Sequence, residues 1–242
     1  MRSLFSLLAI SWLLLLAIGV PPGASAQDIF VTPVANAPFS AVVNVERSRI
    51  LHDGSIGNFK SIRNIGRDSR GRIHNESRVL VPAAYGKTPP LIRIHLYDPQ
   101  TRISAMLDPQ AQTFWTKTVN HPPSAVPPTI RYASPPGDAL PQNEFTKQED
   151  LGIHEMEGLP VHGVRETQTI PAESSTGKEI DITDEYWYSD DLRINLMIKH
   201  SDPRTGTVTM TVADITRVEP DPSLFEIPDR YKPARTGQEA DR

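Results

Sequence analysis

An all-β, mainly antiparallel fold is what this sequence predicts, and three features predict it. Leu192, Ile194, Leu196 and Ile198 alternate with Arg193, Asn195, Met197 and Lys199, the period-2 pattern of a strand with one buried face. Asp202-Pro203-Arg204-Thr205-Gly206 then reverses the chain, and Val208, Met210 and Val212 alternate with threonines on the return strand. Next, Ile92, Ile94 and Leu96 precede Asp98-Pro99-Gln100, and Ile103, Ala105 and Leu107 precede the near-identical turn Asp108-Pro109-Gln110. With Thr113 to Thr118 as a third strand, this reads as a three-stranded meander. Finally, 23 prolines interrupt the 242 residues, and no convincing helical period follows the first apolar stretch.

That first stretch is a targeting segment. Arg2 supplies a positive start, Leu4 to Val20 is almost wholly apolar, Pro21-Pro22-Gly23 ends any helix, and Ala24-Ser25-Ala26 has the small-x-small cleavage pattern. Residues 1–26 therefore read as a signal peptide cleaved before Gln27, which places the protein in the periplasm or outside the cell. The rival reading is an uncleaved anchor, because about 17 apolar residues is the low end of what spans a bilayer. The chain has no cysteine, so thiolate metal sites, cysteine nucleophiles, disulfides and a lipid-modified N-terminal cysteine are all excluded.

Residues 27–233 then form one β domain. Asp28 to Phe39 contains Pro33 and Pro38 and no helical period, and Phe39, Ala41, Val43 and Val45 alternate as the first strand. Phe59 to Gly66 and Arg72 to Val81 flank the turn Arg67-Asp68-Ser69-Arg70-Gly71. Val119 to Pro141 is too rich in proline for a helix or a central strand, and reads as a loop over one end of the sheet, with a lid or an interdomain linker as rivals. A hairpin follows around Glu157-Gly158, then a strand from Ile180 through Tyr186-Trp187-Tyr188, and residues 234–242 form a polar, disordered tail.

Net charge is −4, which gives no nucleic-acid footprint. Its distribution is uneven. Arg47, Arg49, Lys60, Arg63, Arg67, Arg70, Arg72 and Arg78 crowd one stretch, whereas 138–191 is acidic. Two solvated faces of one sheet explain this most simply; the sharper reading is a basic surface that makes peripheral membrane contact or meets an envelope protein partner.

The succession Tyr186-Trp187-Tyr188, alternating strand, turn, Thr/Val strand, Asp214-Ile215 and Pro222-Ser-Leu-Phe-Glu-Ile-Pro228 resembles the C-terminal part of the lipoprotein-localisation-factor (outer-membrane lipoprotein-sorting) superfamily. The whole chain is also similar to a group of secreted soil-bacterial proteins, in which Arg67 to Arg72 and Asp202 to Gly206 have counterparts. The superfamily resemblance implies a strongly curved, open half-barrel sheet with few or no helices beyond short lid segments, and a concave apolar face that holds a lipid or lipidated protein.

On that reading the face is lined by Ile92, Ile94, Leu96, Ile103, Leu107, Ile194, Leu196, Ile198, Val208, Met210 and Val212, with Trp187 as a rim aromatic. The alternative is an envelope-sensing or protein-interaction domain whose core is closed and binds no lipid. No catalytic residue, metal ligand set or cofactor motif stands out: G-x-S-x-G, the phosphate-binding P-loop, G-x-G-x-x-G and H-E-x-x-H are all missing. His154 and His162 facing each other across their hairpin would be the nearest approach to a metal site, with Glu155 or Glu166 beside them. Glu179 and Asp181 share one strand face and Asp184, Glu185, Asp190 and Asp191 cluster near its end; a glycosidase pair or a calcium site would use such acids, but the Asp-x-Asp-x-Asp-Gly loop is missing and they read as the solvated side of a strand.

Overall fold

The computed structural model describes residues 28–120, 145–175 and 177–234, so the expected signal peptide, the Pro-rich stretch beyond Asn120 and the tail beyond Ala234 lie outside the described residues. The chain forms β1 (Phe39–Ile50), β2 (Ile56–Arg67), β3 (Ile73–Arg78), β4 (Val81–Pro82), β5 (Leu91–Asp98), β6 (Ile103–Asp108) and β7 (Thr113–Thr118). It continues with β8 (Thr146–Met156), β9 (Leu159–Ile170), β10 (Ile180–Ser189), β11 (Ile194–Asp202), β12 (Gly206–Thr216) and β13 (Lys232–Pro233). The expected hairpins and meander are all present. Two short 3-10 turns, Ala172–Ser174 and Pro222–Phe225, are the helical elements among the described residues.

The strands make one sheet in the order β13-β7-β6-β5-β3-β2-β1-β12-β11-β10-β9-β8, with β4 on β2, antiparallel except where β13 joins β7. It does not close, because β8 and β13 end the order without meeting. It is strongly curved. Three strand spacings separate β12 from β9, about 14 Å on a flat sheet, yet the backbone N–H of Asp214 in β12 donates to Glu157 in the β8–β9 turn at 3.2 Å. A bulge at Trp187/Tyr188 and another between Ser40 and Val42 supply local bending.

Register decides which side chains share a face. Ile198 lies opposite Met210, Met210 opposite Val45 and Val45 opposite Ser61. Two alternations along β2, the same face holds Ile65, and the row continues through Asn75, His95, Met106 and Trp115. The main core grows on this face, from Phe39, Val43, Ile65, Leu196, Ile198 and Val212. In the meander the aliphatic residues point the other way, while Tyr97 stays with the main core. Leu96, Ala105 and Leu107 pack on the opposite face with Ile94 and Phe114.

Each core has its own cover. Residues 28–38 carry no regular secondary structure and lie across the main core as a strap, with Ile29 0% and Val31 1% exposed. The C-terminal segment crosses the other face, where Ile227 and Tyr231 pack on Leu96 and Leu107, and Leu224 accepts a bond at its carbonyl from His74 Nδ1 at 2.8 Å.

Arg67 holds the strap in place. It is fully buried at the end of β2, and its guanidinium donates to the carbonyls of Ala37 (2.8 Å), Thr32 (2.8 Å) and Leu192 (3.0 Å) while lying over the Phe39 ring. Burial, with a smaller push from Arg193, lowers its pKa to about 10, so it remains charged at neutral pH. Asp28 pairs with Arg63 at the other end of the strap.

Candidate binding site

The residues expected to line a single concave face divide between two. Ile194, Leu196, Ile198, Val208, Met210 and Val212 belong to the main core, whereas Ile94, Leu96 and Leu107 belong to the smaller core on the other side. Ile92 and Ile103 join neither core and are 42% and 44% exposed. The reason is parity: a residue and its direct partner share a face, and the chain of pairs from Ile198 arrives in β5 at His95, not at Leu96.

Within the main core, the strap covers the apolar face. Ile194 and Leu196 are 0% exposed and Ile198 is 3% exposed, all under cover from this chain's own side chains. Beyond the core, towards the β11–β12 turn, the same face becomes polar: Arg47 and Phe59 lie opposite each other, Val208 opposite Arg47, and His200 opposite Val208 and Asp184. Asp184 accepts from His200 at 2.7 Å, which raises the pKa of the imidazole against the opposing effect of burial.

In the meander this face carries a different set. His95 and Ser104 are hydrogen-bonded at 2.9 Å, and burial followed by the nearby Lys117 charge lowers the pKa of the His95 imidazole. Among the described residues no carboxylate bonds the other ring nitrogen, and Ser104 is buried, so the pair lacks the orienting acid and the access that a nucleophilic centre needs. Trp115 stands beside Lys117 on the same strand, with the ammonium 6.0 Å from the ring centre.

Trp187 does not occupy a rim. It is 7% exposed, its ring lies over the backbone of Gly163, its Nε1 donates to Glu185 at 2.7 Å, and His154 meets it edge-on at 4.7 Å. The expected pairing of His154 with His162 is also corrected by register, since Ile153 is the partner of His162 and Val161 the partner of His154. The two imidazoles are thus on opposite faces. Among the described residues no group of three or more His, Asp or Glu side chains is placed to hold a metal ion.

Most of the charged residues singled out in the sequence are held by neighbours. Asp181 accepts from Thr169 at 2.6 Å, Glu185 and Glu149 from Arg165 at 3.1 Å each, and Asp191 from Arg217 at 3.4 Å. In the basic stretch, Arg72 bonds Asp68 at 2.7 Å, Arg78 bonds Glu76 at 2.8 Å, and Arg63 and Arg67 tie down the strap. The side chains of Arg47, Arg49 and Lys60 make no hydrogen bond or ion pair among the described residues, and they surround exposed apolar residues at the β1–β2 turn. Sequence reasoning missed those apolar residues. Their signal, Ile50-Leu51 and Ile56 flanking His52-Asp53-Gly54-Ser55, is an apolar pair and a lone isoleucine astride a turn, with no alternation to mark them.

No family model matches the sequence, and no curated protein matches it. Among solved structures, MucB is similar at 9% identity and a TM-score of 0.38, over 83% of this chain and 60% of MucB. The MucA/MucB complex of Pseudomonas aeruginosa is similar at 11% identity and a TM-score of 0.37, over 80% of this chain and 56% of the matched one. A LolA superfamily protein from Nitrosomonas europaea is similar at 11% identity and a TM-score of 0.32, over 81% and 92% of the two chains. This chain therefore spans about 60% of the length of the MucB chain.

Proposed function

We propose that the protein is an exported, non-catalytic binding module that works through the surface of an open sheet whose main apolar face is covered by its own strap, with an envelope protein as its partner. The observation that carries this reading is the strap: Ile29 and Val31 occupy the main apolar face, and Arg67 bonds two strap carbonyls from beneath. A lipid on that face would have to displace both isoleucine and valine and break those bonds, leaving the buried Arg67 guanidinium with the Leu192 carbonyl in place of three acceptors, at a cost of several kcal/mol. The division of the apolar residues between two faces supports the same reading, since neither core on its own offers the wide floor that the sequence suggested.

Extraction of the purified protein with organic solvent, followed by mass spectrometry, tests the proposal. The expected result is no stoichiometric acyl species. A fatty acid or phospholipid at one equivalent per chain would restore the lipid-carrier reading, with Ile194, Leu196, Ile198, Val208, Met210 and Val212 as its floor.

A further inference from the structure

We propose that the β1–β2 hairpin tip is a docking surface for an anionic phospholipid bilayer. This inference does not depend on whether the main core is closed, because the tip lies beyond the strap-covered core. Ile56 is 67% exposed, Ile50 41% and Leu51 39%, within one seven-residue turn. Ile50 and Ile56 lie directly opposite each other on one face of the hairpin, while Leu51 packs towards Phe59 on the other, so apolar groups flank the apex on both sides. Leu80, 37% exposed, extends the patch beside β4, which pairs with Phe59 and Lys60. Apolar side chains grouped in this way at a protruding turn are uncommon on a soluble surface and mark a contact site.

The charges around them identify the partner. Arg47, Arg49 and Lys60 flank the tip and Lys87 follows in the loop after β4, and none of the four side chains has a hydrogen bond or ion pair among the described residues. Three carboxylates stand nearby. Glu46 lies opposite Lys60, Asp202 in the adjoining β11–β12 turn is paired with Arg204 at 2.8 Å, and Asp53 is turned back onto Ser55, accepting from its N–H at 3.0 Å and its hydroxyl at 2.6 Å. The basic residues farther along the same stretch, Arg63, Arg67, Arg70, Arg72 and Arg78, are held by acids or carbonyls, so within it the cations without a partner are those beside the apolar tip. Exposed apolar side chains ringed by free cations match a surface of negative headgroups over hydrocarbon. The Asp53 charge at the apex opposes deep insertion, and contact is therefore shallow, with Ile50, Leu51 and Ile56 at headgroup depth.

The absence of cysteine gives a clean test, because one introduced thiol can be labelled alone. In the full chain, His52→Cys carries an environment-sensitive fluorophore at the apex, and Thr101→Cys carries it at the β5–β6 turn at the opposite end of the sheet as the control. Vesicles of equal parts phosphatidylglycerol and phosphatidylcholine should shift the label at position 52 to the blue and leave that at 101 unchanged. In the His52→Cys background, Arg47→Glu with Arg49→Glu should weaken the response on the order of tenfold, and Ile50→Ser with Ile56→Ser should abolish the shift. These four side chains are at the surface, so the urea midpoint should stay at the wild-type value and show that the fold is intact. The proposal is overturned by no shift on the anionic vesicles, by an equal shift at position 101, or by an equal response to phosphatidylcholine alone. An equal shift with soluble polyglutamate would also overturn it, by making an acidic chain the partner and not a bilayer.

Discussion

Two side chains show how closely this sheet is packed, and each leads to a measurement. The ring of Trp187 lies so near Gly163 that a Cβ there would stand 2.6 Å from Cζ3. Glycine is needed for that approach, and Gly163→Ala should cost about 1–3 kcal/mol as the ring or strand shifts, seen as a lower urea midpoint with altered near-ultraviolet dichroism. Glu76 sets an acid limit. Burial by itself would raise its pKa, but His74 at 3.8 Å, the Arg78 guanidinium at 2.8 Å and the Asn64 amide at 3.1 Å together hold it at about 2, against an ordinary 4.5. His74 is beyond hydrogen-bond distance, so Arg78 is the principal partner. Because the folded value is depressed, the stabilisation is complete above about pH 4.5 and is lost as pH falls towards 2, roughly 2–3 kcal/mol after allowance for partial exposure. The stability gap between wild type and Glu76→Gln should narrow over that window; a gap independent of pH would contradict the assignment.

At the scale of elements, the strap is what sequence reading could not supply. The β11–β12 hairpin was legible because alternation marks the strands and Asp202 to Gly206 marks the turn, and the structure places β11 at Ile194–Asp202 and β12 from Gly206. Residues 28–38 have no period to read, and their burial depends on Arg67, some 30 residues later, and on Leu192. The face shared by two strands was also out of reach. Period 2 shows that Leu96 and Ile94 point the same way, but whether that way is the side of Ile198 depends on the register of every pair between them. Arg67→Lys tests the strap. A lysine keeps the charge but lacks the planar fork that reaches three carbonyls, so a loss of about 3 kcal/mol is expected, together with new binding of a hydrophobic dye as the strap loosens. Normal stability with no dye binding would show that Ile29 and Val31 hold the strap unaided.

On the scale of the whole molecule, the change of face between β2 and the meander divides one continuous sheet into two packing units. The main core draws on β1, β2 and β9 to β12 under the strap, with Ile73 of β3 and Tyr97 of β5 at its edge, whereas the smaller one consists of Leu96, Ala105, Leu107 and Tyr231 with a few half-buried neighbours, under the C-terminal segment. A unit with so few buried apolar groups opens at a lower free energy than one with many, even when both share a backbone ladder. Leu107 is 2% exposed, and Leu107→Ala should cost about 2–5 kcal/mol of local packing. Hydrogen exchange followed residue by residue should then show early loss of protection in β5, β6 and β7 and in residues 224–234, with β1, β11 and β12 protected nearly as in the wild type. Equal loss throughout the sheet would mean that the shared ladder couples the two cores into a single cooperative unit. Ile198→Ala supplies the converse: Ile198 is 3% exposed and belongs to the larger core, so its loss should reach the strands that pack under the strap and leave β6 and β7 to follow only when the sheet unfolds as a whole.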